Sequence, residues 1–223
     1  LDGCLDRHSR RLNIARRVPG KEEFDELLRY FRVRLERAGV ELRLGVKAGE
    51  AELAGYDAVV VATGVTPRRP QIPGIDHPKV VTYPELLLGK KVAGKKVAVI
   101  GAGGIGYDVS VFLVSEGKAP EVPAYLAEWG VDPSYARPGG LLPKKPSHAA
   151  PREVTMCQRT AGPMGRSLGK TTGWIHRSAL KAAGVKTLSG VTYEKIDDRG
   201  LWLTTKDGKS TCLEVDTVVN CSG

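Results

Sequence analysis

The run Val97-Ala98-Val99-Ile100-Gly101-Ala102-Gly103-Gly104-Ile105-Gly106 decides the fold of this chain. Four apolar residues of strand character lead into glycines at the spacing G-x-G-x-x-G. A helical pattern follows, with Ile105, Val109, Phe112 and Leu113 on one face. Each glycine of the motif has its own task. Gly101 permits a tight strand-to-helix turn, Gly103 lets the backbone come close to a pyrophosphate, and Gly106 lets the helix pack on its strand. The helix N-terminus adds uncapped N–H groups and partial positive charge. Strand before and helix after are the context this motif needs, so an α/β, Rossmann-like fold is expected. Gly101, Ala102, Gly103, Gly104, Ile105 and Gly106 are the first candidate cofactor-binding residues.

A dinucleotide site of this kind usually places an Asp or Glu about twenty residues further on, against the ribose. Here half of the 14 prolines fall between Lys118 and Pro151 and delay the second strand. That strand, Glu153 to Cys157, ends in Cys157-Gln158-Arg159. An arginine there suits a 2′-phosphate, which favours NADPH over NADH; a surface arginine is the competing reading. The segment Gly165 to Thr171 (Gly-Arg-Ser-Leu-Gly-Lys-Thr) is not a P-loop, because only three residues separate its glycines. Lys170 within it remains a candidate contact for the cofactor phosphates.

Outward from this centre the pattern stays α/β. Pro19-Gly20-Lys21-Glu22-Glu23 opens a helix on which Phe24, Leu27, Leu28, Phe31 and Leu35 define one buried face. Val40 to Val46 and Tyr56 to Thr63 read as strands, and Val65 to Pro78 as an extended crossing segment. A short helix is expected near Pro84 to Leu88, another from Tyr125 to Trp129, and a third from Trp174 to Ala183, ended by Gly184. Further strands are expected at 185–188, 191–196, 201–205 and 215–221, with hairpin-type turns at 197–200 and 206–209.

Composition excludes several classes. Among 223 residues no apolar run approaches a membrane span, and Leu1 to Arg11 is not a signal peptide, so a cytoplasmic protein without a membrane partner is expected. The net charge of +9 is spread over doublets such as Arg10-Arg11, Arg68-Arg69 and Lys144-Lys145. Nucleic-acid binding calls instead for one basic stripe interleaved with aromatics, so nucleotide cofactors are the expected partners. Cys4, Cys157, Cys212 and Cys221 lack any C-x-x-C spacing, which argues against a metal site, a cluster or a redox dithiol. His8, His77, His148 and His176 are dispersed, and no catalytic constellation is visible. The chain lacks an initiator Met and stops directly after a strand-like run, as a piece of a longer polypeptide would.

From Leu12 onward the chain resembles the C-terminal half of the bacterial NADPH-dependent 2,4-dienoyl-CoA reductases, in the old-yellow-enzyme-related group that includes trimethylamine dehydrogenase. The matching runs are Leu12-Asn13-Ile14-Ala15, Pro19 to Phe24, Gly74-Ile75-Asp76-His77-Pro78-Lys79-Val80, Gly101 to Gly106, and Leu168-Gly169-Lys170-Thr171-Thr172-Gly173-Trp174-Ile175-His176-Arg177. The last is long and unusual.

The resemblance implies a missing N-terminal barrel domain with FMN and an iron–sulfur cluster, followed by interleaved FAD and NADPH domains that relay hydride from NADPH to FAD. Residues 1–94 would be a partial FAD-binding domain without its first βα unit, and 95–223 an inserted NAD(P)H-binding domain. Ala62, Thr63 and Gly64 would then approach FAD, with Arg29 as a further contact. Gly101 to Gly106 and Arg159 would hold NADPH. Where the family has Gly-Gly-Gln next to the flavin, this chain reads Ser9-Arg10-Arg11. Large side chains in place of those glycines would obstruct a bound FAD. Two alternatives remain: a non-catalytic module holding an ADP-type nucleotide, and a disulfide reductase, which would need a cysteine pair.

Overall fold

In the computed structural model the described residues are 10–64, 66–115, 120–143 and 149–222. They form two compact units. The first runs to Thr66 apart from Val18–Gly20, and the second holds Val18–Gly20 and everything from Pro67 onward.

In the first unit, among the described residues, there are three helices and no strand: α1 (Arg10–Ala15), α2 (Phe24–Arg37) and α3 (Glu50–Leu53). The helix expected after Pro19-Gly20 is present as α2, with Asp25 and Glu26 in its first turn and Arg34 and Arg37 in its last, as its dipole favours. Its apolar face is not buried. Leu27, Leu28 and Leu35 are only partly covered and Phe31 is exposed. The strands expected at 40–46 and 56–63 do not form. A β-strand exists only through a hydrogen-bonded neighbour, and no described strand of this unit lies beside either run. Val60 is accordingly 90% exposed and Val61 79%.

The second unit begins with β1 (Val80–Thr82), which runs into α4 (Tyr83–Leu87). Thr82 caps that helix: Glu85 N–H donates to Thr82 Oγ1 at 3.4 Å, and Thr82 N–H donates back to Glu85 Oε2 at 2.9 Å. Then follow β2 (Lys96–Ile100), α5 (Gly104–Val114), α6 (Val122–Trp129), β3 (Glu153–Gln158), α7 (Gly173–Ala182) and β4 (Lys186–Ser189). The chain ends with β5 (Thr192–Asp197), β6 (Gly200–Thr204), β7 (Ser210–Glu214) and β8 (Thr217–Asn220).

Five strands make a parallel sheet in the order β1-β8-β2-β3-β4, and β5-β6-β7 make a separate antiparallel sheet. Near-continuous apolar strands such as β2 and β8 are what a sheet covered on both faces demands. Ala98, Ile100, Cys157 and Val218 pack against Ile196, Leu201 and Leu203 of the small sheet. Helix α5 lies against β2 and β3. The central strand is thereby fully enclosed, with Ala98 and Val99 wholly buried.

β1 and β7 have no counterpart among the strands expected from sequence. β1 is three residues long and is set by its pairing with β8, Val80 opposite Val218 and Thr82 opposite Asn220. Because of that pairing, the stretch from Pro67 to Gly94 shares the unit of the glycine turn.

Candidate dinucleotide site

The carboxyl ends of β2, β3 and β8 meet at one edge of the parallel sheet, where open α/β sheets bind ligands. Gly101 takes the left-handed conformation, φ 106°, and donates its N–H to Cys157 O at 2.9 Å. A Cβ on it would lie 2.7 Å from Cys221 O, so no larger residue fits. Gly106 is held still more tightly: a Cβ there would lie 2.0 Å from Gly101 O. Ser110, fully buried one turn on, donates its hydroxyl to Gly106 O at 2.7 Å.

Gly103 is the opposite case. It is the N-cap of α5, no side chain caps the helix, and a Cβ on it would meet nothing within 4 Å. Two glycines weld the turn to the sheet and the third leaves open space at a helix N-terminus. That combination fits a pyrophosphate, for which the helix end contributes about 0.3–1 kcal/mol of electrostatic stabilisation, more when partly buried. Ala102 is buried below the turn and Ile105 stands partly exposed beside it.

Arg159 sits one residue beyond β3, exposed, with its charge acting on the phenol of Tyr193. The structure therefore brings Arg159 and the glycine turn to adjacent strand ends, since Ile100 and Cys157 are register partners. Gln158 folds the following loop back, donating to Thr160 O at 2.9 Å and Gly162 O at 3.2 Å. Lys170 lies exposed further along that loop. Tyr193 donates its hydroxyl to Cys157 O at 2.9 Å, and burial pushes its pKa up.

At the end of β8, buried Asn220 donates to Arg68 O at 2.9 Å and accepts from Ser222 N–H at 3.1 Å and Ser222 Oγ at 2.6 Å. Sequence reading missed Gln158, Tyr193 and Asn220. Only Asn220 left a signal, as a polar residue inside the apolar run Val218-Val219-Asn220-Cys221.

The proposed flavin contacts lie in the first unit. Ala62, Thr63 and Gly64 are exposed and outside any strand, and Arg29 is an exposed residue paired with Glu26 at 2.6 Å. Among the described residues this unit has no strand–turn–helix.

His77 faces Asp198 at 3.1 Å, and His176 lies on α7. Burial pushes the Cys157 thiol up to about 12 and raises Cys221 as well, so both are neutral thiols. No group of three potential metal ligands occurs among the described residues, and no helix there is long and apolar enough to cross a membrane. Cys4, His8, Ser9, His148 and the Lys144-Lys145 doublet lie outside the described residues.

The family model for pyridine nucleotide-disulphide oxidoreductases matches residues 7–223. The chain belongs to that family. Its members are oxidoreductases that bind FAD and NAD(P), in keeping with the glycine turn and the parallel sheet. A metal reductase of Desulforamulus reducens is 25% identical over 225 residues, 98% of this chain and 32% of the relative. An NADH oxidase of Thermoanaerobacter brockii is 32% identical over 127 residues, 54% of this chain and 20% of the relative. Among solved structures, a complex of 2-naphthoyl-CoA reductase superposes with a TM-score of 0.70 at 25% identity, covering 96% of this chain and 27% of the other. The chain spans about a third of the metal reductase and less of the NADH oxidase.

Proposed function

We propose that the second unit binds NADPH on the turn Gly101–Gly106 and that this chain is the pyridine-nucleotide-binding part of a flavin oxidoreductase. The open face of Gly103 at the α5 N-terminus carries this reading. NADPH bound there supplies a hydride. Gly103 and the first turn of α5 hold the pyrophosphate, Arg159 meets the 2′-phosphate, and Lys170 approaches the phosphates from its loop. In this reading residues 95–223 are the NADPH domain and 1–94 a partial FAD domain. Ala62, Thr63, Gly64 and Arg29 would be the flavin contacts of that partial domain.

For the whole enzyme we propose reduction of an unsaturated CoA thioester, with 2,4-dienoyl-CoA first. The likeness to a protein named as a CoA-thioester reductase supports this. We further propose a cytoplasmic location, with nucleotide cofactors and a barrel domain as partners and no nucleic acid or membrane.

Calorimetric titration of NADPH, NADH and ADP into the chain and its Arg159→Ala variant tests the nucleotide assignment. NADPH should bind tightest, and the variant should lose about tenfold for NADPH alone, the worth of one charge-assisted contact. ADP binding as tight as NADPH and unchanged in the variant would overturn it. That outcome would favour the second reading, a non-catalytic nucleotide module.

A further inference from the structure

The loop between β3 and α7 carries Arg159, Arg166 and Lys170, all exposed, so its position decides where three positive charges stand. It is not left to itself. Gly165 is buried in it at φ 75°, and a Cβ there would lie 2.7 Å from Tyr107 Oη and 2.9 Å from Leu168 Cδ1. Tyr107 belongs to the first turn of α5, the turn that faces the open glycine, and is only 3% exposed. On the other side Arg177 of α7 donates from Nη1 to Gly165 O at 3.3 Å. The same nitrogen would lie 3.2 Å from a Cβ on Gly173, at the start of α7. Leu168 presses on both glycines from within the loop, its Cβ 2.9 Å from where a Gly173 Cβ would be.

We propose that Tyr107 and Arg177 are positioning residues that clamp this loop, through Gly165, to the first turn of α5 and so set the preference for a 2′-phosphorylated dinucleotide. The chemistry follows from geometry. The pyrophosphate end of the ligand depends on the glycine turn, which the clamp does not form. The 2′ end lies at the carboxyl terminus of β3, where the loop begins. A displaced loop moves the basic side chains away from the 2′-phosphate and leaves the pyrophosphate contacts in place. The inference rests on the dinucleotide reading above and adds to it which residues hold the selectivity.

Affinities for NADPH and NADH, measured by calorimetry on Gly165→Ala, Arg177→Ala and Arg177→Lys, test it. Gly165→Ala keeps every charge and pushes the loop off Tyr107. It and Arg177→Ala should each weaken NADPH about tenfold while NADH stays within about twofold, as the loss of one charged contact implies. Arg177→Lys, which keeps the charge and a donor, should recover part of the loss; should the other two variants fail to fold, it decides alone, through a reduced NADPH-to-NADH ratio.

A merely structural role would weaken both ligands together, and that result overturns the clamp. Unchanged NADPH binding in all three variants overturns it too, with the dinucleotide reading intact. A wild-type chain that binds neither ligand removes both.

Discussion

Two short apolar runs of similar character end differently in this molecule. In the second unit, Val97 to Ile100 is a strand with neighbours on both sides, its side chains 0–2% exposed. In the first unit, Val59-Val60-Val61 runs outside any strand with most of its side-chain surface in solvent. β-Branched composition supplies the same local preference in both places. What differs is the neighbour: β2 is hydrogen-bonded to β3 and β8, and the first unit has no described strand to offer. Strand propensity is thus a statement about fit to a sheet. Burial of each such valine, about 1.5–3 kcal/mol, is realised only where the sheet exists.

The sharpest way to break this contrast is at the weld between turn and helix. Gly106→Val places a branched side chain where even a Cβ would lie 2.0 Å from Gly101 O, a backbone atom that cannot move without the sheet. The variant should lose about 4 kcal/mol or more of the second unit's stability, with NADPH binding abolished. Urea denaturation followed by circular dichroism checks it. A loss below about 1 kcal/mol would mean the turn is looser than its geometry says.

A step smaller is Met156→Ala. The Met156 side chain is wholly buried beside Gly106, and truncation should cost about 2–5 kcal/mol in the same assay. Gly103→Val separates binding from folding. Its Cβ would meet nothing within 4 Å, so stability should hold within about 0.5 kcal/mol. NADPH affinity should fall more than about tenfold, because the side chain occupies the ligand's approach. A variant that binds NADPH normally would place the pyrophosphate elsewhere.

These contrasts show which parts of the molecule were legible in sequence. The glycine turn was, since G-x-G-x-x-G after an apolar strand is a local pattern with local causes, and the residues it named do meet at one sheet edge. The position of Arg159 was legible for the same reason, as the residue just past the neighbouring strand; its contact with the nucleotide is the proposal. β7 was not: Ser-Thr-Cys-Leu-Glu has little strand character and is made by pairing with β6, Trp202 opposite Cys212. Tyr107, Gly165 and Arg177 were also invisible, because their association joins two helices and a loop far apart in the chain. The strands expected at 40–46 and 56–63 failed in the opposite sense, as local patterns with no partner strand described to complete them.

Alkaline pH probes the same enclosed sheet. Cys157 has its pKa raised by burial from 9.0 to about 12, so the folded state holds its proton where the unfolded chain has lost it. A raised pKa means stability that is complete below about 9 and is lost as pH rises towards about 12. The melting temperature of the second unit should fall through that window, and Cys157→Ala should flatten part of the fall. An unchanged slope in the variant would show that the thiol titrates as if exposed.

The smallest expected effect lies in the first unit and is as informative as the largest. Val60→Thr keeps the β-branched shape and replaces a methyl with a hydroxyl on a side chain that is 90% exposed. Such a change should alter stability by no more than about 0.5 kcal/mol, against the several expected at Met156. At an enclosed position the same hydroxyl would need a partner or cost about 1–3 kcal/mol. Denaturation of Val60→Thr beside Met156→Ala therefore measures whether the run at 59–61 is solvated in solution. A loss above about 1 kcal/mol would mean that these valines are covered, and the contrast between the two apolar runs would disappear.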